Sequence, residues 1–163
     1  MRLALTIPLA LASMAALFVA GSASARPAAC TAGMTTIKGV QARVFCGSAT
    51  AHIKIGGKSI AFTNGACAKT SDYVSINIGT LVLGQSKAKP EYFGLNVGKM
   101  FGSGKAAGAD GSYQGGSLAL DHAGTGYTVQ ADTIKVNLAG GRSKGTFSGK
   151  LLTGGDFSGT FSC

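Results

Sequence analysis

From residue 36 to the end, apolar and polar residues alternate along the chain. Val40, Ala42, Val44 and Cys46 share one parity. Ala49, Ala51, Ile53 and Ile55 form a second run, with Thr50, His52 and Lys54 turned the other way. Ile60 and Phe62 follow the pair Gly56-Gly57, a two-residue hairpin signal. Val74, Ile76 and Ile78 alternate with Ser75 and Asn77, and Phe93, Leu95 and Val97 repeat the pattern. Leu118 and Leu120, Tyr127 and Val129, and Ile134, Val136 and Leu138 complete the series. A period of two marks half-buried strands, and glycine or small polar clusters separate the runs. No stretch carries a helical period, and glycine every few residues would cost a helix about 1 kcal/mol each. The pattern predicts an all-β domain over 36–163, an antiparallel sandwich or closed barrel of about eight to eleven short strands.

A short repeat sharpens this. Gly111-Ser112-Tyr113-Gln114-Gly115, Gly145-Thr146-Phe147-Ser148-Gly149 and Gly155-Asp156-Phe157-Ser158-Gly159 share glycine, aromatic and glycine at alternate positions. The last two predict a hairpin. A three-residue turn over Thr153-Gly154-Gly155 pairs Leu151 with Phe157, Gly149 with Gly159 and Phe147 with Phe161. All the apolar side chains then share one face, whereas a one-residue slip would put Phe147 opposite Ser162.

The first 25 residues read differently. Met1-Arg2 is a short positive end, Leu3–Ala20 is mostly apolar, and Ala23-Ser24-Ala25 is a small-residue cleavage site. This is the layout of a secretory signal peptide, and residues 26–35 then form an N-terminal arm. The chain has 163 residues and a formal charge of +9. Cleavage removes one of fifteen cations, Arg2, leaving fourteen against six acids, or +8. No later segment is long and apolar enough to span a bilayer. Cys30 does not follow a lipoprotein pattern, because Arg26 and Pro27 stand where uncharged and aliphatic residues belong.

Export makes the four cysteines, Cys30, Cys46, Cys67 and Cys163, into two expected disulfides with three possible connectivities. Parity places Cys46 and Cys163 on core-facing sides and favours a Cys46–Cys163 bridge between sheets, leaving Cys30 with Cys67. The alternative is Cys46–Cys67 with Cys30–Cys163. No Cys/His spacing suits a metal, and no motif calls for a cofactor.

Catalytic motifs are absent. His52 lies on the outward side of a strand and His122 beside a turn. Ser86-Lys87-Ala88-Lys89 matches S-x-x-K without a helix to carry it, and Ser71-Asp72 is equally short. The acids Asp72, Glu91, Asp110, Asp121, Asp132 and Asp156 are scattered. Charge is the one feature that speaks of a partner. Lys87, Lys89, Lys99 and Lys105 bracket the Pro90–Val97 segment, and Arg142, Lys144 and Lys150 flank the last hairpin. If their loops are neighbours, they form a basic rim for an anionic envelope polymer or lipid headgroups. Nucleic acid is not expected outside the cell, and no aromatic-basic motif for it occurs.

Several segments together carry a resemblance. They are Cys46 leading through a strand to Gly56-Gly57, the Val74–Gly79 strand, Asp110-Gly111, the Tyr127 region, and the terminal Gly159-Thr160-Phe161-Ser162-Cys163. In these the chain resembles small actinobacterial envelope proteins of the mycobacterial nineteen-kilodalton lipoprotein antigen family. The resemblance implies a compact envelope β-sandwich with a bridge joining Cys46 and Cys163, and no catalytic residues. The chain departs from that family in lacking its lipidated cysteine and long tether, which fits free secretion. The first expectation is therefore a secreted or envelope-associated, non-enzymatic binding module. A carrier with an apolar inter-sheet cavity is the alternative. A further one is a small hydrolase, or an inhibitor using the Gln85–Glu91 loop.

Overall fold

The computed structural model describes residues 30–84 and 87–163. The expected signal peptide, and Gln85 and Ser86 of the expected loop and S-x-x-K match, lie outside the described residues. Twelve strands and two single 3₁₀ turns make up the regular structure of the described residues. The strands are β1 (Gly33–Ile37), β2 (Val40–Phe45), β3 (Ala49–Ile55), β4 (Lys58–Lys69), β5 (Tyr73–Val82) and β6 (Tyr92–Gly98). They continue with β7 (Gly111–Gln114), β8 (Ser117–His122), β9 (Thr125–Tyr127), β10 (Lys135–Ala139), β11 (Lys144–Lys150) and β12 (Asp156–Ser162). The all-β, antiparallel expectation holds, with more strands than the alternation counted. β1 begins inside the stretch read as an arm.

The strands form one antiparallel ladder, ordered β7-β10-β11-β12-β3-β4-β5-β6-β8-β9, that does not close into a barrel. It folds over at β4. The first part of β4 pairs with β3, and Ala66–Lys69 pairs with β5. Between them the register shifts by one residue around Asn64, whose φ is +64°. Such a bulge bends and twists a strand. Gly65 makes the bend possible: an added Cβ would collide with the Ile78 side chain and lie 2.7 Å from the Asn77 carbonyl oxygen. Sheet I is then β7-β10-β11-β12-β3 with the start of β4. Sheet II is the end of β4 with β5-β6-β8-β9, and the β1–β2 hairpin is attached to the far end of β5.

The core lies between the sheets. Ile53, Ile55, Val136, Leu138, Phe147, Phe157 and Phe161 come from sheet I, and Val74, Ile76, Phe93, Leu95, Val97, Leu118 and Leu120 from sheet II. Phe93 meets Phe147 across the gap, with ring centroids 5.4 Å apart, and Phe62 extends the cluster at 5.7 Å from Phe93. These are the residues that the alternation assigned to the buried side.

Two sequence expectations are corrected. The last hairpin pairs Phe147 with Gly159, Gly149 with Phe157, and Gly145 with Phe161. The register differs by two residues from the expected one, and the loop is five residues long, 151–155. An even slip keeps every side chain on its face. It also seats each ring over a glycine, where the expected register paired Phe147 with Phe161 and Phe157 with Leu151. The disulfides are Cys30–Cys46 and Cys67–Cys163, so both connectivities favoured from the sequence fail. The parity argument assumed that β2 lies in the core. Only Ala42 of β2 is buried, because the β1–β2 hairpin sits at the periphery. Cys46 therefore ends a marginal hairpin and ties to Cys30 beside it. Cys163, at the end of sheet I, reaches Cys67 in the sheet II portion of β4.

Candidate functional site

The outer face of sheet I carries a concave groove of about 690 Å³. Its chemistry follows from register. Gln114, Lys135, Ser148, Ser158, Lys54 and Ser59 stand in one line across β7, β10, β11, β12, β3 and β4. The next line is Ser112, Asn137, Thr146, Thr160, His52 and Ala61. All of these alternate with the core residues of their strands, so strand period and sheet pairing alone put them outside together. At about 4.8 Å per strand the line spans about 24 Å, and Lys135 and Lys54, three strands apart, are separated by about 14 Å.

The electrostatics are one-sided. No carboxylate lines this groove, while Lys54, Lys135 and His52 do. Serine, threonine, asparagine and glutamine provide neutral donors and acceptors between the two ammonium groups. Beyond Ser148 and Ser158 the next pair is Lys150 opposite Asp156. A second depression of about 710 Å³ opens there and contains Asp132 and Asp156. The Gln114 amide donates to the Asp132 carbonyl oxygen at 2.5 Å, which fixes that corner of the groove.

The residues expected to form a basic rim come together only in part. Strand direction sends Lys99, Lys105, Arg142 and Lys144 to one end of the sandwich, and Lys87, Lys89 and Lys150 to the other. Several already have partners. The Lys105 ammonium sits 4.6 Å from the centroid of the Tyr113 ring. The Arg142 guanidinium donates to the carbonyls of Thr70 and Ala107, and the Gly141 and Arg142 N–H groups donate to Asp110. Arg142 thereby clasps three loops. Lys89 lies 3.9 Å from Asp121. The groove cations Lys54 and Lys135 were not singled out from the sequence, because only sheet register brings them into one line.

One titratable cluster lies elsewhere. His122 Nδ1 is 2.6 Å from Glu91 Oε2, and the Ala123 N–H donates to Glu91 Oε1 at 2.8 Å. Desolvation pushes the Glu91 carboxyl up, but the Ala123 N–H and the hydrogen bond and charge of His122 outweigh it, so the pKa is lowered overall. The pair closes the β8–β9 turn, where Ala123 has a φ of +49°. Among the described residues, no serine, threonine or cysteine is bonded to it. Among the described residues, no group of three or more His, Cys, Asp or Glu is placed to hold a metal ion. None of the helices there is long and apolar enough to cross a membrane.

The groove and the two-sheet fold define the class only as an all-β, disulfide-bridged domain with a polar, cation-bearing sheet face. No protein-family model, curated protein or solved structure matches the chain.

Proposed function

We propose that this protein is an exported, non-enzymatic binding module that holds an anionic polymer of the cell envelope on the outer face of sheet I. The observation that carries this reading is the groove itself. Lys54 and Lys135 stand in one polar cross-strand row that carries no carboxylate, so an anionic ligand laid in the groove gains two attractions, while Asp132 and Asp156 lie in the adjoining depression. The expected signal peptide and the two disulfides support export to an oxidising compartment.

The test uses polygalacturonate as the anionic polymer, at low ionic strength, where exposed charges are least screened. Lys54→Gln with Lys135→Gln is expected to weaken binding at least tenfold. Lys99→Gln with Lys87→Gln, the same charge change away from the groove, is expected to change it less than twofold. The polymer is expected to keep its length on prolonged incubation. Equal losses from both double variants would reduce the binding to net charge and overturn the reading. Shortening of the polymer that disappears in Asp156→Asn would make the protein a hydrolase.

A further inference from the structure

The cations of the groove are arranged along a line. Each of β3 and β10 contributes one lysine to it, and the two fall in one cross-strand row with Ser148 and Ser158 between them. Along any single strand, no second cation follows in the groove. A ligand that touches both ammonium groups must therefore run across the strands. From this we infer that the groove takes an extended acidic glycan laid at right angles to the strands, with two anionic groups seated on Lys135 and Lys54, whose backbones lie three strands, or about 14 Å, apart.

This rests on the ligand-face reading above and narrows it. The hydroxyls of Ser148 and Ser158 both donate and accept, which matches the ring hydroxyls of the sugar units lying between the two lysines. On one side the row borders a mixed margin, in which Asp156 stands opposite Lys150 with Asp132 nearby.

A ligand that reaches both lysines gains its second contact at high effective concentration, commonly worth 10²–10⁴-fold. The experiment is calorimetric titration with galacturonate oligomers of increasing length, with polyglutamate as the sugar-free polyanion. Affinity is expected to step up at least tenfold once an oligomer is long enough to reach both lysines, whose backbones are about 14 Å apart. Lys54→Gln or Lys135→Gln is expected to abolish the step, whereas Lys99→Gln, outside the groove, is expected to keep it and to leave the affinity of every oligomer within about twofold. Polyglutamate is expected to bind at least tenfold more weakly than the spanning oligomer.

A smooth rise of affinity with length, or an equal affinity for polyglutamate, would overturn the crosswise glycan while leaving the groove as an anion site. Binding of every oligomer and polymer unaffected by Lys54 and Lys135 would overturn the ligand-face reading as well. These outcomes separate the two failures.

Discussion

Three phenylalanines of the last two strands each stand opposite a glycine. Phe161 lies over Gly145, Phe157 over Gly149 and Phe147 over Gly159. A Cβ on Gly145 or Gly149 would come within 2.7 or 2.6 Å of the facing ring. The repeat that looks like a motif is thus a packing device, with small residues making room for rings on a twisted sheet. A second local device lies on the outer side of sheet II. The Tyr92 hydroxyl donates to Asn77 Oδ1 at 2.7 Å, and the Asn77 amide to Ser75 Oγ at 2.8 Å. Ser75 donates to Asn96 Oδ1, and the Asn96 amide to Ser117 Oγ at 3.0 Å. Alternation had read Ser75 and Asn77 only as residues turned away from the core. Ser75 is in fact buried, at the centre of this hydrogen-bonded row.

Burial, with the Asp121 carboxylate nearby, pushes the Tyr92 phenol up to about 12. An unfolded tyrosine ionises near pH 10. The stability held in the neutral phenol is therefore complete below about pH 10 and is lost as pH rises toward 12. The loss amounts to about 2–3 kcal/mol, given 1.36 kcal/mol per pKa unit. Tyr92→Phe is expected to cost about 1 kcal/mol at pH 8 through the lost hydrogen bond. It should also flatten the decline between pH 8 and pH 11.5. Urea midpoints for both proteins at the two pH values measure this. An equally steep alkaline loss in the variant would place the sensitivity elsewhere.

At the scale of elements, strand existence was legible and strand partnership was not. Ala49–Ile55 and Phe93–Val97 are buried on the parity that the sequence shows. The hairpin turns at Gly56-Gly57, Lys38-Gly39 and Ala123-Gly124 all adopt positive φ at both central residues, as two-residue turns require. What the pattern hid was the standing of β1 and β2. Alternation does not distinguish a strand at the centre of a sheet from one in a hairpin at its rim, and Cys46 was misassigned for that reason. The bridges consequently differ in what they hold. Cys67–Cys163 spans 96 residues and joins the two sheets, while Cys30–Cys46 spans 16 and closes the base of one hairpin. Loop-closure entropy assigns about 4–5 kcal/mol to the long bridge and about 3 kcal/mol to the short one. Replacing Cys67 and Cys163 with alanine is expected to lower the unfolding free energy more than replacing Cys30 and Cys46. Non-reducing peptide mapping is expected to recover Cys67 linked to Cys163. A Cys46–Cys163 peptide would contradict the arrangement of both sheets at that end.

For the whole molecule, net charge leads to the expectation of an anionic partner without saying where the cations collect. The lysines and Arg142 near the turns are the visible cluster in the sequence, yet the fold splits them between two ends and occupies several with internal contacts. Lys54 and Lys135 lie far apart in the chain and look unremarkable there. They become neighbours of one groove only after β3, β12, β11 and β10 pair in their observed register. A binding face built from cross-strand rows is invisible to any local reading, since each strand supplies one residue per row. The most direct test is amide chemical-shift mapping of the folded protein during titration with polygalacturonate. The largest changes are expected along β10, β11, β12 and β3, centred on Lys135, Ser148, Ser158 and Lys54. Changes concentrated at Lys99–Lys105 and Arg142–Lys144, with the groove strands silent, would contradict the proposed binding face.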